Sequence, residues 1–181
     1  CYPLSGLIGD AHHNLVWDVV QGDVLPWDNV IERTSFSADY GGFEALFNEL
    51  QESPVERVII SSEAFENLSP KRIVELKKRL KEYNVRIVVY LRDQTEYYQS
   101  AWAQHIKFGL TTDDFVTWLD KTLSSTADYL ACFGDYEALL TNWSDVFGRE
   151  NIIVELFENG QKHVHVFVRF LASCGISNHI G

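Results

Sequence analysis

The chain has 181 residues, 46% hydrophobic and 23% charged, with 26 acidic against 15 basic side chains and a formal charge of −11. Those proportions exclude fibrous and disordered classes, and the length suits a single hydrophobic core, read as one domain over 1–181. The acidic field repels polyanions and argues against nucleic-acid binding, and no apolar run approaches the roughly 20 residues that cross a bilayer.

In chain order, AHHNLVWDVVQGD (11–23) predicts a helix with Leu15, Val16, Val19 and Val20 on one stripe and Gly22 as its stop. A polar, irregular stretch runs to Tyr40, and GGFEALFNELQE then repeats the helical pattern through Phe43, Leu46, Phe47 and Leu50. Val58, Ile59 and Ile60 form a short apolar run ending in Ser61-Ser62-Glu63, which predicts a buried strand. Ser69 is placed to cap a helix that begins at Pro70 and turns Ile73, Leu76 and Leu80 inward. Its basic residues at 71, 72, 77, 78, 79 and 81, mixed with Glu75 and Glu82, read as a solvated face.

A second strand, VRIVVYL, runs directly into Arg92 and a helix over 94–108 that is closed by Gly109. Asp93 is its expected cap, and Glu96 extends this to a capping-box-like pattern. Thr112 is the expected cap of the helix that follows, DYEALLTNWSDVFG gives another, NIIVELF a third strand, and QKHVHVFVRFLASCG a last helix. Strands alternating with helices predict an α/β architecture, a mostly parallel sheet with helices on both faces.

Cys1, Cys132 and Cys174 show no metal or redox spacing and fit a reducing, cytoplasmic setting. His163 and His165 lack a third ligand nearby, so no metal is expected. The sequence starts at Cys1 and contains no methionine, which places the expected start of the protein upstream.

In open parallel sheets, ligands bind beyond the carboxyl ends of strands, where Arg92 and Ser61 to Glu63 both fall. Counted from Asp93, Ser100 returns to the same side of its helix about two turns on. A guanidinium fork and a hydroxyl placed that way suit one phosphate dianion; equally, Arg92 can pair with a neighbouring acid while Ser100 packs. Tyr97, Tyr98 and Trp102, with Gln104 and Lys107, give this helix a composition fit for an acceptor or adenine pocket, Trp102 being the one most suited to the core.

Arg92 with Ser100 eight residues later resembles the 3′-phosphate motif of sulfotransferases that use 3′-phosphoadenosine 5′-phosphosulfate. AHHNLVW, VIISSEAF, VVYLRDQTEYYQSAWAQHIKFG, DYEALLTNWSDVFGRENIIVELFE and FLASCGI are similar, in that order, to the bacterial sulfotransferase-like family. The resemblance implies a P-loop-NTPase-like sulfotransferase fold, N-terminally incomplete, and sulfuryl transfer from this donor to a hydroxyl of a carbohydrate or other polar acceptor. It implies donor binding by Arg92 and Ser100, with Ser62 as a further hydroxyl donor, and a catalytic base that is Glu63 or, of His12 and His13, His13. The family's phosphosulfate loop, H-x-x-K-[ST]-G-[TS]-[TS], is not found in 1–181. Two other readings remain open here: a non-catalytic nucleotide- or glycan-binding module of the same fold, and a nucleotide kinase, for which G-x-x-x-x-G-K-[ST] is also missing.

Overall fold

The computed structural model describes residues 1–21, 36–53, 55–124, 134–157 and 166–176. The backbone groups into two compact units, Cys1–Glu82 and Tyr83–Gly181.

The first unit is built on helices α1 (His13–Val19), α2 (Phe43–Glu52) and α3 (Pro70–Arg79), with 3-10 turns at Ala38–Tyr40 and Glu63–Asn67. Helix α1 is shorter than the 11–23 periodicity predicts, because the backbone before it is committed elsewhere. Ala11 pairs with Ile8 in an isolated antiparallel bridge, and the His12 amide donates to the Ser61 carbonyl over 2.7 Å. Gly22, its expected stop, lies outside the described residues. The expected stripe is buried: Leu15, Val16, Val19 and Val20 pack in a core with Phe43, Leu46, Ile73 and Leu76.

Two polar side chains of α1 lock its neighbours. Asn14, fully buried, donates through Nδ2 to the carbonyls of Ser37 (2.8 Å) and Gly41 (2.6 Å) and accepts from the Ser37 amide at 3.0 Å, so its amide group is satisfied inside the core. Asp18 accepts the first amide of α2, Phe43 N–H, at 2.8 Å and pairs with Arg79 at 2.9 Å. Arg72 reaches the Val19 carbonyl at 3.1 Å. Two residues of the basic set on α3 therefore turn onto α1, a correction to its reading as a wholly solvated face. Ser69 does precede Pro70 at the helix start but makes no side-chain capping bond.

Val58–Ile60 is not in a ladder strand among the described residues. The Cys1 ammonium donates to the Arg57 carbonyl at 2.8 Å and the Ile59 amide to the Cys1 carbonyl at 2.9 Å, a single parallel rung in place of the expected strand.

The second unit contains β1 (Ile87–Leu91), α4 (Gln94–Lys107), α5 (Phe115–Leu123), α6 (Tyr136–Phe147), β2 (Ile152–Leu156) and α7 (Val166–Ser173). The strands pair in parallel from Ile87 opposite Ile152 to Leu91 opposite Leu156, with α4 to α6 as the crossover that parallel pairing requires. Among the described residues the sheet has these two strands, so the chain is a mixed α/β protein with a small parallel sheet, narrower than the sequence predicts. Trp118, Leu139, Trp143 and Phe147 supply the buried apolar side chains of this unit.

Asp93 caps α4 as expected, accepting from the Thr95 and Glu96 amides at 2.9 and 3.2 Å. Helix α5 is capped by Asp114, which accepts from Thr117 at 3.0 Å, in place of the expected Thr112. A carboxylate in that position also meets the positive end of the helix dipole, which a hydroxyl does not. Gly109, at φ +69°, closes α4 in the left-handed region that glycine tolerates. No described helix is long and apolar enough to cross a membrane.

Candidate functional site

In the second unit, β1 ends at Leu91 and delivers Arg92 to the N-terminus of α4. The strand end is pinned: the Tyr136 hydroxyl donates to the Arg92 carbonyl at 2.9 Å, and Gln94 Nε2 to the Gly134 carbonyl at 2.7 Å. The guanidinium carbon lies over the Phe157 ring, 5.2 Å from its centre, a cation–π contact. Its Nε is hidden from solvent without a hydrogen-bond partner among the described residues, 3.7 Å from Glu96 Oε2. Glu96, whose amide donates to the Asp93 cap, therefore also lies within ion-pair range of Arg92. Glu96 and Ser100 lie one turn apart on α4, and Arg92 precedes its cap, Asp93. Ser100 is half-buried, at about 10 Å along the axis from the cap.

The rest of α4 makes packing and hydrogen-bond contacts within this unit. Tyr97 packs edge-on to Tyr136, and Trp102 donates its indole N–H to the Asp113 carbonyl at 3.0 Å and packs against Phe115. No residue of α4 is fully buried, Trp102 included, which corrects its assignment to the core. Gln104 and Lys107 are exposed.

In the first unit, the two adjacent histidines divide. His12 is completely buried: its Nε2 lies 3.0 Å from the Pro3 carbonyl, which can only accept, and its Nδ1 accepts the Ser61 amide at 3.2 Å. This fixes the neutral tautomer with the proton on Nε2. Desolvation holds the His12 ring below its ordinary pKa, opposed in part by the Pro3 carbonyl that accepts from Nε2. His13, half-buried and stacked on Trp17 at 5.9 Å, points Nδ1 at Ser62 Oγ over 2.7 Å. Ser62 also caps the 3-10 turn by accepting the Ala64 amide at 3.2 Å. In the tautomer in which Nδ1–H donates to Ser62, the Nε2 lone pair of His13 can accept a proton and the Ser62 hydroxyl hydrogen can reach an anionic oxygen; in the other tautomer Nδ1 accepts from the Ser62 hydroxyl.

Glu63 follows as the first residue of that turn and is exposed. Three residues on, desolvation, with the like charge of Glu63 added, pushes the Glu66 carboxyl up to about 7. Glu66 is an exposed residue, and solvent screening tempers this shift. On the other side of the turn, the Tyr2 hydroxyl donates to the Asp10 carbonyl at 2.8 Å, which leaves Ser61 to donate to Tyr2, also at 2.8 Å.

The structure thus joins His13 to Ser62, with Glu63 next in the chain, while Arg92 precedes the cap of α4 and Ser100 lies in its second turn. Sequence reasoning missed Glu96 as the partner of Arg92, although its four-residue spacing was visible, and it missed Phe157 and Glu66, which carry no local signal. Cys132, His163 and His165 lie outside the described residues.

No family model matches the chain. An uncharacterised protein of Archaeoglobus fulgidus is 30% identical over 120 residues, which is 66% of this chain and 30% of that protein, so the chain spans less than a third of its length. The crystal structure of a sulfotransferase from Alicyclobacillus acidocaldarius is 19% identical, with a TM-score of 0.64 over 93% of this chain and 70% of the other. At that identity the likeness is one of architecture: the chain has a sulfotransferase-like fold.

Proposed function

We propose that the chain serves sulfuryl transfer from 3′-phosphoadenosine 5′-phosphosulfate to a hydroxyl on a carbohydrate or other polar acceptor. The observation that carries this reading is Arg92 just beyond the end of β1, its guanidinium carbon 5.2 Å from the centre of the Phe157 ring and its Nε without a hydrogen bond among the described residues, with the Ser100 hydroxyl in the second turn of the helix that follows. A planar fork with a neutral donor further along suits a phosphate dianion, and Arg92 follows the carboxyl end of a parallel strand, where ligands bind in open parallel sheets. In this reading Arg92 and Ser100 hold the 3′-phosphate of the donor, and Ser62 offers its hydrogen to an anionic oxygen. His13 Nε2 or the Glu63 carboxylate takes the acceptor proton as the acceptor oxygen bonds to sulfur and the bond from sulfur to the 5′-phosphate oxygen breaks, releasing adenosine 3′,5′-bisphosphate. No metal enters this scheme.

Calorimetric titration with adenosine 3′,5′-bisphosphate and with ATP tests it. Arg92→Ala is expected to cost about 1.5 to 3 kcal/mol for the bisphosphate, roughly 10- to 150-fold, and to leave ATP unaffected. Equal losses for both ligands overturn the assignment. Tight, Arg92-dependent binding with no sulfuryl transfer to any of a panel of sugars would favour a binding module of the same fold.

A further inference from the structure

Glu96 lies in the first turn of α4, beside Arg92, which precedes the helix cap, and one turn before Ser100. Its Oε2 is 3.7 Å from Arg92 Nε, too long for a hydrogen bond, so the two groups are held by charge alone. The side chain of Glu96 is 58% exposed, so it is free to rotate into solvent, whereas the guanidinium is held over Phe157. An ion pair this open is worth little, between about 0 and 1 kcal/mol. A phosphate seated between Arg92 and Ser100 meets the carboxylate on the way in, and two negative groups cannot share the same guanidinium edge without repulsion.

We propose that Glu96 is the resident counter-anion of this site, a charge that the incoming phosphate displaces and that sets how tightly the anion is held. The proposal rests on the reading of Arg92 and Ser100 as phosphate ligands. Without ligand, Glu96 neutralises a guanidinium whose Nε no other described group satisfies. A phosphate dianion offers twice the charge and a bidentate fit, and so outcompetes the single carboxylate. A ligand with one negative charge gains little from the exchange.

The test is titration of adenosine 3′,5′-bisphosphate at fixed low ionic strength into the wild-type chain, Glu96→Gln, Arg92→Ala and the double variant. Glu82→Gln, the same change of net charge on an exposed residue of the first unit, is the control. Glu96→Gln is expected to tighten binding roughly three- to tenfold, the effect of removing one screened like charge, with Glu82→Gln unchanged. The gain is expected to shrink in the Arg92→Ala background, where there is no cation left to compete for. Binding that is unchanged or weaker in Glu96→Gln while Arg92→Ala still loses affinity overturns the inference and leaves the phosphate site standing. An equal gain from Glu82→Gln also overturns it, by reducing the effect to net charge. Arg92→Ala without loss overturns both.

Discussion

His12 and Ser61 hold each other by both ends: the His12 amide donates to the Ser61 carbonyl at 2.7 Å, and the Ser61 amide donates to His12 Nδ1 at 3.2 Å. The second bond exists only while Nδ1 keeps its lone pair. Burial lowers the pKa of His12, so between its folded value and the ordinary value near 6.5 the unfolded chain binds more protons than the folded one. Stability is therefore full above about pH 6.5 and falls as the pH drops below it. Urea unfolding at pH 7, 6 and 5 is expected to show this loss in the wild type and a flatter profile in His12→Asn, which starts lower but has no ring to charge. Parallel profiles would count against His12 as the source.

Ser62 serves His13 and the 3-10 turn together, so Ser62→Ala removes a neutral hydrogen bond and a cap. The expected cost is about 0.5 to 2 kcal/mol, with a change in the nitrogen-15 shifts of the His13 ring. A ring spectrum identical to the wild type would mean that the 2.7 Å contact does not fix the tautomer.

Asp18 caps α2 from another helix while paired with Arg79, and its side chain is 13% exposed. Asp18→Ala strands the Phe43 amide and a half-buried cation, with an expected loss of about 2 to 4 kcal/mol in chemical unfolding; Asp18→Asn, which keeps an acceptor, loses less. Gly42 makes room for that carboxylate, since a Cβ there would meet Asp18 Oδ2 and approach Phe36 to 2.9 Å. Gly42→Ala is expected to destabilise in the same assay, and a neutral result would show that Asp18 has freedom to move aside.

Glu66 works in the opposite sense to His12. Its carboxyl is raised from the ordinary 4.5 to about 7, so the folded state holds the extra proton across that window and loses stability as the pH rises through it. Glu66→Gln is expected to flatten the fall in thermal midpoint between pH 5 and 8. A slope as steep as that of the wild type would assign the effect to other groups.

Local chemistry alone determined much of this protein. The stripe of Leu15, Val16, Val19 and Val20, Pro70 at the start of α3, Asp93 as a cap and Gly109 as a stop all act within a few residues, over distances the chain reports directly.

Only the tertiary structure decided where the polar groups went. AHHNLVW reads as one amphipathic start, yet it splits into a buried neutral His12, a His13 bonded to Ser62 from 49 residues away and an Asn14 spent on the carbonyls of Ser37 and Gly41. The apolar run at 58–60 looks like a strand, but a ladder needs neighbours on which to hang its hydrogen bonds, and its rung goes to Cys1. Hydrophobic pattern is local and periodic; hydrogen-bond partnership is a matter of which groups folding leaves unpaired within reach, and sequence order does not encode that distance.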